Sequence, residues 1–179
     1  MRWAAIVLAG GRGARLGGVD KPALVVAGKT LLDRAVEASD GADPVVVVGP
    51  ARPCSRPVRW TREAAPGAGP VAAVAAGLAA LDADVDVVVL LAADLPAVTT
   101  AAVAEVRAAV GESGAVLVDA EGRDQWLLSA WRADVLRSAF AAPGRGLYST
   151  LGPLNPVRVT DRACASSDVD TPEDLDRWR

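Results

Sequence analysis

The sequence contains no histidine, and its 179 residues include only two cysteines, Cys54 and Cys164. Without histidine, a Ser-His-Asp triad, a histidine general base and the common histidine-bearing zinc centres are excluded. Two isolated cysteines cannot form a disulfide framework; they read as free thiols, small buried fillers in a cytoplasmic chain. Aromatic residues are scarce, at 4%, so the core must be aliphatic. Apolar runs are short as well. VVVLLAA and PVAAVAAGLAAL stay below the ~20 residues of a membrane-crossing helix. MRWAAIVLAGG has the basic residue and apolar stretch of a signal peptide. The stretch is too short, however, and runs straight into glycines, so it reads as a first strand. A large charge excess is also missing: the net charge is −3, which argues against broad nucleic-acid binding. Chemistry is left to Asp, Glu, Lys, Arg, Ser and the backbone.

What is present is an ordinary globular composition, 51% hydrophobic and rich in Ala and Val. The length suits a single domain spanning 1–179, long enough to bury roughly 70% of its unfolded surface. Charge is uneven, roughly +4 over residues 1–60 and roughly −7 over the rest. That balance suits a phosphate ligand together with a cation, although solvated surface charge would look the same. Short apolar runs alternate with helical spacings. Strands are expected at 3–9, 44–49, 58–60, 85–93, 114–119, 125–131 and 156–160. Helices are expected at 31–39, 70–81 with Pro70 first, 99–110 capped by Thr99 or Thr100, and 133–140. A last helix at 171–178 has Thr171 as cap, Pro172 first and acids in its opening turn. This alternation predicts an α/β fold, a three-layer, mainly parallel, Rossmann-like sheet with helices on both faces. Ligands of such sheets sit beyond the carboxyl ends of strands. Two stretches stand there: the loop after the first strand, and AADLP after the 85–93 strand.

The first of these, LAGGRGARLGGVDKP (8–22), packs five glycines, two arginines and a lysine behind an apolar strand. A dinucleotide fold wants G-x-G-x-x-G, but Leu16 stands in the place of the third glycine. A P-loop wants G-x-x-x-x-G-K-[ST]. AGKT at 27–30 supplies its end, yet Ala23 replaces its first glycine, so Gly28-Lys29 reads as a turn before the 31–39 helix.

A third pattern fits without repair. LAGGRGARLGGVDKPAL resembles the opening loop of nucleotidyltransferases of the nucleotide-diphospho-sugar transferase type. More narrowly, it resembles the molybdenum cofactor guanylyltransferase (MobA) family. Three further stretches are similar to that family in the same order: GAGPVAAVAAGL, LAADLP and VDTPEDL. Leu16, Ala73, Trp126, Asp168 and Asp170 depart from its usual residues. The resemblance implies a Mg²⁺-dependent transfer of GMP from GTP to the terminal phosphate of Mo-molybdopterin, with release of pyrophosphate. It further implies molybdoenzymes or cofactor-biosynthesis proteins as partners, with neither nucleic acid nor membrane involved.

In that reaction the protein mainly positions reactants and neutralises charge. The resemblance assigns Lys21, Arg15 and Asp94 to catalysis. Leu8, Ala9, Gly10, Gly11, Glu63, Gly69 and Pro70 join Lys21 and Asp94 in holding the nucleotide. Asp94 is the first metal ligand, with Asp168 and Asp170 as further candidates. Asp20 is read as orienting Lys21, and Arg123 and Gln125 as facing the pterin. Trp126 and Trp131 read as core or interface rather than as ligand-stacking residues. Plainer readings stand beside these: solvated charge for Arg12 and Arg15, a turn cap for Asp94, a helix start for Asp170. Two other functions stay open. One is a sister transferase acting with CTP on molybdopterin or with a sugar phosphate. The other is a nucleotide-binding module without catalysis.

Overall fold

The computed structural model describes residues 1–11 and 17–178. Its centre is a seven-stranded sheet. In chain order the strands are β1 (Trp3–Leu8), β4 (Val45–Val48), β5 (Arg59–Thr61), β6 (Val87–Ala92), β7 (Gly114–Val118), β8 (Asp124–Arg132) and β9 (Val157–Thr160). Across the sheet they run β5-β4-β1-β6-β8-β7-β9. All neighbours are parallel except those of β8, which lies antiparallel to both β6 and β7. A small antiparallel hairpin, β2 (Val25–Val26) with β3 (Lys29–Thr30), stands apart. Its turn, Ala27-Gly28, has both φ angles positive, as a two-residue hairpin requires. Two-residue strands carry no periodicity, so the sequence discloses only the turn.

Period-2 alternation sorts the strand residues onto the two faces. Trp3, Ala5 and Val7 of β1 join a core with α1 (Leu31–Ala38) and α3 (Thr100–Ala108). Ala4 and Ile6 join the opposite core with α2 (Pro70–Ala79), α4 (Ala133–Ala141) and α5 (Leu147–Leu151). Both faces of β1 and β6 are covered, hence their unbroken apolar sequences. Helix starts follow the local chemistry. Thr30 accepts from Asp33 N at 3.0 Å, and Thr99, rather than Thr100, accepts from Ala102 N at 3.2 Å. In α6 (Pro172–Arg177), Thr171 and Asp174 form a reciprocal capping box. Trp131 is fully buried, and Trp126 packs against the same core. The cysteines differ from expectation: Cys54 is only half-buried and Cys164 is exposed. Each sits in an irregular segment, Cys54 packed against the rim of the core shared by β1, α1 and α3.

Candidate active site

Four parallel strands, β5, β4, β1 and β6, end at one edge of the sheet. The chain crosses from β5 on one flank to β6 on the other side of β1, so a crevice opens above β1 at this switch point. A cavity of about 840 Å³ occupies it. Its walls come from the residues that follow each strand: Gly10 and Gly11 after β1, Gly49, Pro50 and Arg52 after β4, Arg62 and Glu63 after β5, Ala93 and Asp94 after β6. Gly49 is required at the β4 end. Its φ is +150°, and a Cβ there would lie 2.8 Å from the Ala9 carbonyl carbon and oxygen, so the two strand ends pass too closely for a side chain.

Leu8, Gly10, Gly11, Lys21, Glu63, Gly69, Pro70 and Asp94 all line this one cavity. Residues from four separated stretches of the sequence therefore converge. Ala9 does not line it. Its side chain is buried in the sheet core and its N–H donates to Val48 O at 2.9 Å, which fixes the loop's departure from β1. Arg12 and Arg15, with Leu16, lie outside the described residues. Glu63 faces the opening loop: its Oε1 accepts from Gly67 N at 3.4 Å and lies 3.8 Å from where a Gly10 Cβ would stand. Gly69, at φ +94°, starts α2 with no side-chain cap, so the amides that follow Pro70, itself without an N–H, face no capping side chain near the cavity wall.

The acidic residues gather by tertiary docking. Val169 N donates to Asp94 O at 3.1 Å, and Val169 packs with Val26 and Leu31. This lays the C-terminal segment against the end of β6. Carboxylate oxygens of Asp94, Asp168 and Asp170 then fall within 4.8 Å of one another. Burial pushes Asp94 up to about 6; Lys21 opposes the rise, and Asp168 and Asp170 add to it. Burial, then Asp170, also raises Asp168. The Lys21 ammonium enters this group, hydrogen-bonded to Asp170 and 3.9 Å from Asp94. Three clustered carboxylates are a hard oxygen donor set that fits Mg²⁺. The side-chain caps of the two neighbouring helices come from Thr99 for α3 and Thr171 for α6, and not from Asp94 or Asp170.

Asp20 does not orient Lys21 directly. Its carboxylate turns away to Arg52, accepting from Nε at 3.0 and 2.7 Å and from Nη2 at 2.5 Å. That fork holds Asp20 below its ordinary value. Gln125 donates to Asp119 and Arg123 pairs with Glu121 and Asp119, so both are engaged at the β7–β8 turn, outside the cavity. Sequence reasoning missed Arg52 and Arg62. Each follows a strand predicted from the sequence, and basic residues at a carboxyl edge are the signal that would have found them.

Comparison with known proteins accords with this geometry. The profile of the MobA-like NTP transferase domain matches residues 5–157. A molybdenum cofactor guanylyltransferase of Acidiphilium cryptum is 32% identical over 96% of this chain and 91% of its own length. Among solved structures, the molybdopterin-guanine dinucleotide biosynthesis protein A of Archaeoglobus fulgidus has a TM-score of 0.70 at 22% identity, covering 98% of this chain and 96% of that one. A 2-C-methyl-D-erythritol 4-phosphate cytidylyltransferase of Thermus thermophilus has a TM-score of 0.75 at 23% identity, covering 99% and 97%. These two likenesses establish the nucleotide-diphospho-sugar transferase fold.

Proposed function

Because the chain belongs to the MobA-like NTP transferase family, we propose that it transfers GMP from GTP to the terminal phosphate of Mo-molybdopterin in a Mg²⁺-dependent reaction. One observation carries the proposal: Lys21 and Asp94 line a cavity together with Gly10, Gly11, Gly69 and Glu63, and Asp168 and Asp170 bring their carboxylates up to Asp94 and Lys21. The A. cryptum relative, by its name a guanylyltransferase, supports guanine over other bases.

An oxygen of the acceptor phosphate attacks the α-phosphorus in line. The new P–O bond forms as the bond to the β-phosphate breaks, and pyrophosphate leaves with its electron pair. Gly10 and Gly11 let backbone amides approach phosphate oxygens closely. Glu63, a carboxylate facing the base end, accepts from guanine N–H groups. Lys21 moves from Asp170 to the triphosphate, where its fixed charge stabilises the oxygens around the α-phosphorus most strongly in the transition state. Asp94, with Asp168 and Asp170, would hold Mg²⁺, which when bound would neutralise charge on the phosphates.

The test is pyrophosphate release from GTP, CTP and ATP, each with and without molybdopterin and Mg²⁺. Release should require GTP, acceptor and Mg²⁺ together, and calorimetry should rank GTP first. Equal or faster release with CTP would reassign the base, and binding without any release would indicate a non-catalytic module.

A further inference from the structure

Asp20 and Lys21 are adjacent but point opposite ways. Lys21 reaches across the cavity to Asp170 and Asp94, whereas Asp20 reaches to Arg52 on the loop after β4. Asp20 sits where the cap of the 3₁₀ turn Lys21–Ala23 belongs, yet its carboxylate makes no cap hydrogen bond. Both its oxygens are taken by the Arg52 fork. The Arg52 side chain is only 11% exposed, and its other terminal nitrogen, Nη1, donates to Pro50 O at 2.8 Å. Each of the three nitrogens thus holds a partner, and of the five N–H groups one on each Nη is left over.

Before Asp20 the described chain is a glycine turn followed by a single bridge residue, Val19. Gly17 and Gly18 have φ of +70° and +79°, and a Cβ at either would meet nothing within 4 Å. Val19 is 41% exposed. Apart from the contacts Lys21 itself makes with Asp170 and Asp94, the Arg52 fork is, among the described residues of this loop, the side-chain tether nearest to Lys21 in sequence. A planar bidentate pair fixes direction as well as distance.

We propose that Arg52 is a positioning residue. By forking onto Asp20 it ties the glycine loop to the end of β4 and sets where the Lys21 ammonium stands in the cavity. It acts through Asp20 and Lys21, without touching the reacting atoms. Its consequence for turnover rests on the guanylyltransferase reading; the positional statement does not.

The chain has two lysines, Lys21 and Lys29, so protein labelled with ¹³C-lysine gives two Cε resonances, readable without nucleotide. Lys21→Gln assigns them. Arg52→Ala and the isosteric Asp20→Asn should each shift the Lys21 signal toward that of an unpaired lysine and leave Lys29 in place. Arg52→Lys should restore it partly, and the exchanged pair Asp20→Arg with Arg52→Asp more fully. In single-turnover transfer, Arg52→Ala and Asp20→Asn should each slow the step about tenfold or more while GTP affinity changes less than about threefold, since a small misplacement costs rate before binding. An unmoved Lys21 resonance in both variants would overturn the proposal. So would a loss of GTP affinity in Arg52→Ala with a normal rate at saturation and an unaffected Asp20→Asn, because Arg52 would then be a phosphate ligand. If the resonance moves but even the native protein transfers no GMP, the positioning stands and the guanylyltransferase reading fails.

Discussion

Asp94 carries opposing demands. Burial and its acidic neighbours raise it to about 6, against a lesser pull from Lys21. The unfolded chain would hold it near the ordinary value of ~4. Between about pH 4 and 6 the native state therefore binds more protons than the unfolded state, so stability falls as pH rises through that window and stays lower above it. Replacing the carboxylate by an amide removes this penalty. Asp94→Asn should be more stable than the native protein at pH 7.5 by about 1–3 kcal/mol, with the advantage gone near pH 4. Urea unfolding in metal-free buffer at both pH values measures it. The same variant should lose most Mg²⁺-dependent transfer, a trade of activity for stability common at functional sites. A variant less stable at pH 7.5 would make Asp94 a structural residue. The aspartate at the end of the longest apolar strand was legible in the sequence. Its raised value was not, because desolvation and proximity to Asp168 and Asp170 exist only after folding.

Among the elements, α2 sets the cavity's upper wall, and its height over the sheet is fixed by one small residue. Gly77 is buried in the last turn of α2, where glycine costs up to ~1 kcal/mol relative to alanine. A Cβ there would stand 2.5 Å from Ile6 Cγ2 and 3.1 Å from its Cδ1. Ile6 is fully buried in β1 and its branched side chain cannot swing aside. The overpacking cost, about 1–3 kcal/mol, exceeds the propensity gain. Gly77→Ala should thus lower stability by roughly 1–2 kcal/mol in denaturant unfolding and lift Gly69 and Pro70 from the nucleotide. An unchanged or higher midpoint would show that α2 rides free of β1. The helix itself was readable from spacing and from Pro70 at its first position. The need for glycine at 77 was not, since a lone helical glycine looks the same whether it faces solvent or a crossing strand.

Across the whole molecule, the site joins segments far apart in the chain, and a ligand bridging them should stabilise the fold. Mg²⁺ with GTP at a hundred times its dissociation constant should add about 2.7 kcal/mol, or about 5–10 °C in the thermal midpoint of a protein this size. Mg²⁺ alone should do less, because Lys21 already partly neutralises the carboxylates. A midpoint indifferent to Mg²⁺ and GTP together would place nucleotide binding elsewhere. The sequence by itself determined the layered α/β plan, most strand and helix positions and the glycine loop at the end of β1. Those follow from local periodicity, capping residues and backbone freedom, which act over a few neighbours. Only the tertiary structure decided that β8 runs antiparallel, that Ala9 serves the core, that Asp20 answers to Arg52, and that Asp168 and Asp170 reach Asp94. Strand direction and long-range carboxylate pairing depend on how distant segments dock, here on Val169 packing under α1 and bonding to the end of β6, and no local pattern encodes that contact.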